Sequence, residues 1–240
     1  MERIIGENML EELKKKVCQA NKDLVKHGLV MFTFGNVSAI DRENNIVAIK
    51  PSGVEYDQLS SGDIILVDLE GNIVEGNLKP SSDTPTHLEL YKHFREIGGI
   101  VHTHSTYATV FSQIKKEIPC LGTTHADHFY GEVPVTRELK KNEIEGDYET
   151  NTGKVIVEHF KKNSINPAHI PACLVASHGP FSWGKTPEAA VYNAAVLEEV
   201  ARMALMGLLL DDKTKQISQS LLDKHYFRKH GKKAYYGQKK

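Results

Sequence analysis

Residues 98–105 read Gly-Gly-Ile-Val-His-Thr-His-Ser, in which two histidines two positions apart follow a Gly-Gly break and a short apolar run. The apolar run predicts a β-strand over residues 100–104. Because side chains alternate between the two faces of a strand, His102 and His104 would point to the same side. Two imidazoles placed in this way can bind one metal ion, although a hydrogen-bonded histidine pair at a strand end would give the same pattern.

Two further residues fit a metal site with this pair. His178 follows the apolar run 172–177 and precedes a glycine, at a strand end where the backbone can approach a ligand closely. Three imidazoles with an open fourth position are typical of catalytic zinc sites. Asp83, in Lys-Pro-Ser-Ser-Asp-Thr-Pro (79–85), is a fourth candidate ligand. It could also cap the helix that begins near Pro85, and a carboxylate has enough oxygens for both roles.

The stretch 123–128, Thr-Thr-His-Ala-Asp-His, offers other titratable groups. Asp127 could act as a general acid or base. His125 and His128 are three positions apart and would share a helix face, so they form an alternative metal-binding pair. No helical pattern surrounds them, which favours the first set of histidines.

Three short turns rich in glycine and serine could hold an anion, because hydroxyls and free backbone N–H groups in such turns bind phosphate well. Each turn alone is a weak signal, and their number, together with one lysine, strengthens it. The candidate substrate-binding residues in these turns are Gly35, Asn36, Lys50, Ser52, Gly53, Ser81 and Ser82.

The composition is that of an ordinary globular protein of 240 residues, with 40% hydrophobic and 25% charged residues. The 30 basic and 31 acidic residues nearly cancel, which gives no electrostatic reason to expect nucleic acid or an anionic membrane as a partner. Three scattered cysteines predict buried thiols in a reducing compartment. No signal peptide is recognisable, and the longest apolar stretch, 203–210, is too short for a membrane span, so we expect a cytoplasmic protein.

Hydrophobic spacing predicts an α/β protein with one domain over residues 1–240, in which helices pack on a mixed sheet with several hairpin-linked strands. Helices are expected at about residues 7–26, 86–96, 107–113, 150–161, 187–210 and 218–229. Strands are expected at residues 29–34, 46–49, 64–68, 73–74, 100–104 and 172–177. The motifs GxGxxG and GxxxxGKS/T are absent, which removes the main support for a dinucleotide-binding or P-loop fold.

The C-terminal segment 218–240 is rich in aromatic residues and histidine, notably in 222–231 and 234–237. Tails seldom carry such residues without a place to dock. The segment could pack as a helix on its own subunit, or it could reach a neighbouring active site.

Together these strings resemble the class II aldolase family of sugar-phosphate enzymes over residues 10–238, and within it the L-ribulose-5-phosphate 4-epimerases. Strings of this length in this order are specific, whereas the HxH motif alone marks only the wider family. Asp83, where related aldolases have a glutamate, and the Tyr-Tyr-Gly of the tail distinguish the epimerases. The strings are Gly-Asn-Val-Ser (35–38), Lys-Pro-Ser-Gly-Val (50–54), Lys-Pro-Ser-Ser-Asp-Thr-Pro-Thr-His (79–87), Gly-Gly-Ile-Val-His-Thr-His-Ser (98–105), Gly-Thr-Thr-His-Ala-Asp (122–127), Ser-His-Gly-Pro-Phe (177–181), Asp-Lys-His-Tyr (223–226) and Ala-Tyr-Tyr-Gly-Gln (234–238).

The resemblance implies a three-layer α/β/α domain with a central, mainly antiparallel mixed sheet. It implies a homotetramer with active sites between subunits, to which the C-terminal segment contributes. It also implies zinc, with manganese as the less favoured ion, at His102, His104 and His178, with Asp83 beside or on the metal.

The resemblance also implies roles for the other candidates. Asp127 and Tyr236 would be the proton-transfer pair, with Tyr236 and the nearby His225 contributed by the adjacent subunit. The contacts to the substrate phosphate would come from Gly35, Asn36, Ser52, Gly53, Ser81 and Ser82.

The implied reaction interconverts L-ribulose 5-phosphate and D-xylulose 5-phosphate by cleaving the C3–C4 bond and re-forming it on the other face of the aldehyde fragment. Zinc would act as a Lewis acid, the phosphate site would hold the aldehyde, and inversion would need proton transfer on both faces. One alternative is a true aldolase that releases the aldehyde. Another is a non-catalytic interaction module like the head domain of adducin, which would be expected to lack the metal ligands.

Overall fold

The computed structural model describes residues 2–230 and 234–235. Its elements follow the order α1, β1 to β4, α2, β5, α3 to α6, β6, β7, α7 and α8. The helices are α1 (Glu2–Lys26), α2 (Thr84–His93), α3 (Thr106–Gln113), α4 (Thr123–Ala126), α5 (Lys141–Glu145), α6 (Tyr148–Lys162), α7 (Pro187–Leu210) and α8 (Gln219–His230). The strands are β1 (Asn36–Asp41), β2 (Ile46–Ile49), β3 (Ile65–Asp68), β4 (Ile73–Glu75), β5 (Gly99–His102), β6 (Ala172–Leu174) and β7 (Pro180–Gly184).

The seven strands form one sheet in the order β4-β3-β2-β1-β5-β7-β6, and each neighbouring pair of these described strands is antiparallel. Alternate residues of a strand face opposite sides of the sheet. In β5, Ile100 belongs to an apolar cluster with residues of α2 and α6, whereas Val101 packs with residues of α1 and α7. Helices therefore cover both faces of the sheet. This confirms the predicted α/β fold with a central, mainly antiparallel sheet.

The segment 29–34 is not a strand, and the prediction made from its apolar residues was wrong. Phe32 has a left-handed backbone, with φ of 52°, and its side chain is exposed. The strand begins two residues after this segment, at Asn36. Gly35 makes the change of direction possible, because its φ is 85° and a Cβ there would lie 2.8 Å from the carbonyl oxygen of His102. The chain thus passes close to the end of β5 before it enters the sheet.

The described residues agree with two expectations drawn from the composition. All three cysteines are buried, and none forms a disulfide. Within the described part of the chain, no helix has both the length and the apolar character needed to cross a bilayer.

Candidate functional site

Three histidines meet at the end of β5. The potential ligand atoms of His102, His104 and His178 all lie within 4.8 Å of one another. His102 is the last residue of β5, and β7 pairs with this strand, so the turn between β6 and β7 carries His178 to the same place. That turn is tight, since Ser177 has a φ of 60° and a Cβ on Gly179 would lie 2.9 Å from the carbonyl oxygen of Thr103.

The structure corrects the reason given for His104. The predicted strand ran to residue 104, but β5 ends at His102, so strand alternation does not orient the second histidine. His104 lies in the loop that follows, where its ring comes close to Gly179. The ring centroid of His104 is 5.0 Å from that of His102 and 5.1 Å from that of His178. The histidine set is therefore assembled by a loop and a turn around one strand end.

The hydrogen bonds of the cluster leave its ring nitrogens suited to a metal ion. His102 Nδ1 donates a hydrogen bond to the carbonyl oxygen of Pro180 at 3.0 Å. The lone pair of Nε2 is then available to bind a metal ion. Tyr148 Oη lies 3.4 Å from Nδ1 of His178. Burial, followed by the imidazoles of His102 and His104, lowers the pKa of His178 to about 3. Neutral imidazole is the form that binds metals, so the three side chains fit a divalent ion, and their nitrogen donors suit zinc.

Asp83 directs its carboxylate toward this cluster and does not cap α2. It occupies the N-cap position, but its side chain makes no capping hydrogen bond. Instead, Oδ2 accepts a hydrogen bond from Asn36 Nδ2 at 2.7 Å. Burial alone would raise the pKa of Asp83, but the imidazoles of His102 and His87 and the bond from Asn36 hold it below its usual range. An ionised carboxylate thus lies beside the three imidazoles.

One cavity of about 510 Å³ contains every predicted metal and substrate residue. It brings together Gly35, Asn36, Lys50, Ser52, Gly53, Ser81, Ser82, Asp83, His102, His104 and His178. The segment 33–36, the turn 50–53, the turn 81–83 and the histidine cluster form its walls. The Oδ1 atom of Asn36 is buried and accepts no hydrogen bond from the described residues, which leaves it open to a ligand donor.

The two serine turns lie side by side in the wall of this cavity. Ser52 N–H donates to the carbonyl oxygen of Lys79, and Ser81 N–H donates to that of Lys50. The turn 81–83 also directly precedes the N-terminus of α2, whose dipole favours a negative charge. Lys50 is buried, its Nζ donates to the carbonyl oxygen of Val54 at 2.6 Å, and burial lowers its pKa.

Besides Pro51, which belongs to one of the predicted turns, four lining residues were missed by sequence reasoning, namely Thr33, Phe34, Tyr148 and Glu149. Tyr148 and Glu149 begin α6, which packs on α2. Thr86 Oγ1 donates to the carbonyl oxygen of Glu149 at 2.6 Å and joins the two helices. Nothing local in the sequence marks the start of α6 as part of a site, because only this helix packing brings it there.

Asp127 and His225 meet each other, but they do not line the cavity. His225 Nδ1 lies 3.1 Å from Oδ1 of Asp127.

Asp127 directly follows α4, so a short helix exists where no helical pattern was recognised. On that helix His125 is buried, and its Nε2 lies 2.7 Å from the carbonyl oxygen of Gly131. Neither His125 nor His128 belongs to the three-residue cluster of potential metal ligands found among the described residues. Tyr236 lies outside the described residues.

The fold and the histidine cluster together define a metal-binding α/β protein, and comparison with known proteins names its family. Residues 15–205 match the model of the family described as Class II Aldolase and Adducin N-terminal domain, and the chain belongs to this family.

Solved structures show the same architecture. L-fuculose 1-phosphate aldolase is 26% identical, with 89% of this chain and 94% of that chain covered and a TM-score of 0.75. The L-fuculose-1-phosphate aldolase of Thermus thermophilus is also 26% identical, with 85% and 98% covered and a TM-score of 0.63. YgbL from Escherichia coli is 22% identical, with 90% and 98% covered and a TM-score of 0.71, and it supports the fold alone.

Proposed function

We propose that this protein is a metal-dependent epimerase that interconverts L-ribulose 5-phosphate and D-xylulose 5-phosphate. The observation that carries the proposal is the single cavity in which three imidazoles, an ionised carboxylate and two serine turns face one another. Such a cavity can bind a polyhydroxylated substrate at a metal and its phosphate several ångströms away. The choice of this substrate rests on the sequence strings that resemble the epimerases. It rests in particular on Asp83, at the position where related aldolases have glutamate.

In this proposal His102, His104 and His178 hold zinc, or manganese as the second choice, and Asp83 lies beside or on the ion. The ion would polarise the ketone and hydroxyl oxygens of the substrate as a Lewis acid. Asn36 orients the Asp83 carboxylate through their 2.7 Å hydrogen bond.

The serine turns take the phosphate. Ser52, Gly53, Ser81 and Ser82 offer hydroxyl and backbone N–H groups, with Gly35, Asn36 and Lys50 alongside. A held phosphate keeps the aldehyde fragment in the site after the C3–C4 bond breaks. The aldehyde can then turn over and be attacked on its other face.

Asp127 and Tyr236 exchange protons with the substrate on the two faces, and His225 supports them. Asp127 and His225 lie outside the walls of the cavity in their own chain, which supports their action on the cavity of a neighbouring subunit. We therefore propose a homotetramer with shared active sites, formed by one catalytic domain per chain.

A class II aldolase is the second candidate, because two solved structures at 26% identity are named L-fuculose 1-phosphate aldolases. One assay separates the two functions. The purified protein, loaded with zinc, is incubated with L-ribulose 5-phosphate and followed by NMR. Epimerisation yields D-xylulose 5-phosphate with the phosphate-bearing carbons retained, whereas an aldolase releases free glycolaldehyde phosphate. Absence of both products from a protein that holds zinc would overturn the proposal.

The phosphate site predicts a specific loss of affinity. Ser52→Ala and Ser82→Ala should each raise KM for L-ribulose 5-phosphate on the order of tenfold, because a hydrogen bond to a charged group contributes about 1.5–3 kcal/mol. Turnover of unphosphorylated L-ribulose and zinc content should not change. Ser61→Ala, a serine remote from the cavity, is the matched control. Equal effects on both sugars would contradict a phosphate role.

A further inference from the structure

Three basic side chains of α8 surround the carboxylate of Asp127. Nε and Nη2 of Arg228 donate to its two oxygens at 3.0 and 2.6 Å, in a bidentate arrangement. His225 Nδ1 lies 3.1 Å from Oδ1, and Lys229 Nζ lies 3.6 Å from Oδ2. The side chain of Asp127 is only 12% exposed, so these contacts are formed largely out of water.

Among the described residues, two further histidines lie beside Asp127. His230 Nε2 lies 2.9 Å from its backbone carbonyl oxygen. His128 follows it in the chain and is neutral near pH 7, because burial lowers its pKa to about 4. Burial alone would raise the pKa of the Asp127 carboxyl, but the hydrogen bonds from Arg228 and then His225 hold it below its usual range.

We propose that Arg228 is a positioning residue that fixes Asp127 as an ionised, oriented carboxylate, so that Asp127 enters the reaction as a proton acceptor. This inference rests on the proposed function, in which Asp127 and Tyr236 exchange protons with the substrate. Arg228 does not line the cavity of its own chain, and both ends of its fork contact the carboxylate. It acts through Asp127.

The proton balance assigns the starting state of each group. In one direction the Asp127 carboxylate takes the proton of the C4 hydroxyl as the C3–C4 bond breaks, and the bonding electrons stay on the three-carbon fragment. When the bond re-forms on the other face, the new C4 oxygen takes its proton from Tyr236. This turnover leaves a proton on Asp127 and removes one from Tyr236, so one proton must pass from Asp127 to Tyr236 through the solvent before the next turnover. The active pair carries one proton, on Tyr236, so kcat/KM falls at low pH when Asp127 of the free enzyme is protonated as well.

The first test reads Asp127 directly and needs no substrate. The full chain is labelled with [4-13C]aspartate, and the Asp127 resonance is identified by its loss in Asp127→Asn. Its pKa should rise by about one unit or more in Arg228→Met, because an adjacent arginine lowers the pKa of an aspartate by about 1–3 units. Arg202→Met is the matched control, since Arg202 makes a similar bidentate pair with Glu199, at 2.9 and 2.6 Å, away from Asp127.

The second test is the pH profile of kcat/KM. A higher pKa means that Asp127 is protonated at a higher pH, so the acidic limb should move upward by the same amount as the NMR value. A purely structural role would lower the rate at all pH values without moving this limb. If Arg228→Met does not fold, Arg228→Lys replaces it, since lysine keeps the charge but cannot form two parallel bonds. Arg228→Lys should lower kcat by a larger factor than it changes KM. It should shift the acidic limb less than Arg228→Met would.

Two results would overturn the inference, namely an Asp127 pKa unchanged in a folded Arg228 variant, or a raised pKa with an unmoved acidic limb. Failure of the proposed function gives a different result, which is a wild-type enzyme that produces no D-xylulose 5-phosphate while the NMR titration still reports Asp127.

Discussion

Replacement of His104 by asparagine should remove the metal ion and lower activity on the order of 10³-fold or more. One of three imidazoles is lost, and the two that remain do not form a tetrahedral site with an open position. A metal that stabilises the transition state by about 4 kcal/mol accounts for a factor of about 10³. The fold should survive, because His104 is exposed and lies in the loop after β5, outside the sheet.

Metal content and thermal stability measure this outcome together. After dialysis against zinc, the wild type should hold about one ion per chain and the variant close to none. Its melting temperature should equal that of wild type stripped with a chelator, because both lack the binding energy of the ion. His93→Asn, an exposed histidine of α2 far from the cluster, is the control and should behave like wild type. A His104→Asn protein with full zinc content would refute the three-histidine site.

The histidine set could be predicted from sequence because His102 and His178 each follow an apolar run that builds the central sheet. His104 was identified for a reason that fails, since β5 ends before it. Its place depends on the close approach of Gly179, which is a contact between segments about 75 positions apart. Local periodicity carries no information about such a contact.

The site residues at Tyr148 and Glu149 could not be predicted for a similar reason. They lie at the start of α6, and their side chains reach the cavity only because α6 packs on α2. The error at residues 29–34 has a different cause. An apolar run usually marks a buried strand, but Phe32 and Phe34 are exposed, and Phe34 forms part of the cavity wall. The β-propensity of residues 29–34 could not distinguish an exposed segment at the cavity from a strand.

Two inactive variants, His104→Asn and Asp127→Asn, should regain about a quarter of wild-type activity when they are unfolded together and co-refolded. Asp127→Asn alone should lose on the order of 10² in kcat, as expected for a proton-transfer group. In the proposed homotetramer each active site takes its metal cavity from one chain and Asp127 from a neighbouring chain. Each half is intact with a probability of about one in two, so about one site in four has both halves.

The control mixes two variants that damage the same half of the site. His104→Asn with His178→Asn leaves every cavity without its metal ligands, so no recovery is expected at any ratio. Native mass spectrometry of differently tagged chains establishes that mixed tetramers form. Because Asp127 lies outside the cavity walls of its own chain, recovery near a quarter is the expected result. Mixed tetramers without recovery would mean that Asp127 serves its own subunit, and α8 would then have to move to bring the carboxylate to the cavity.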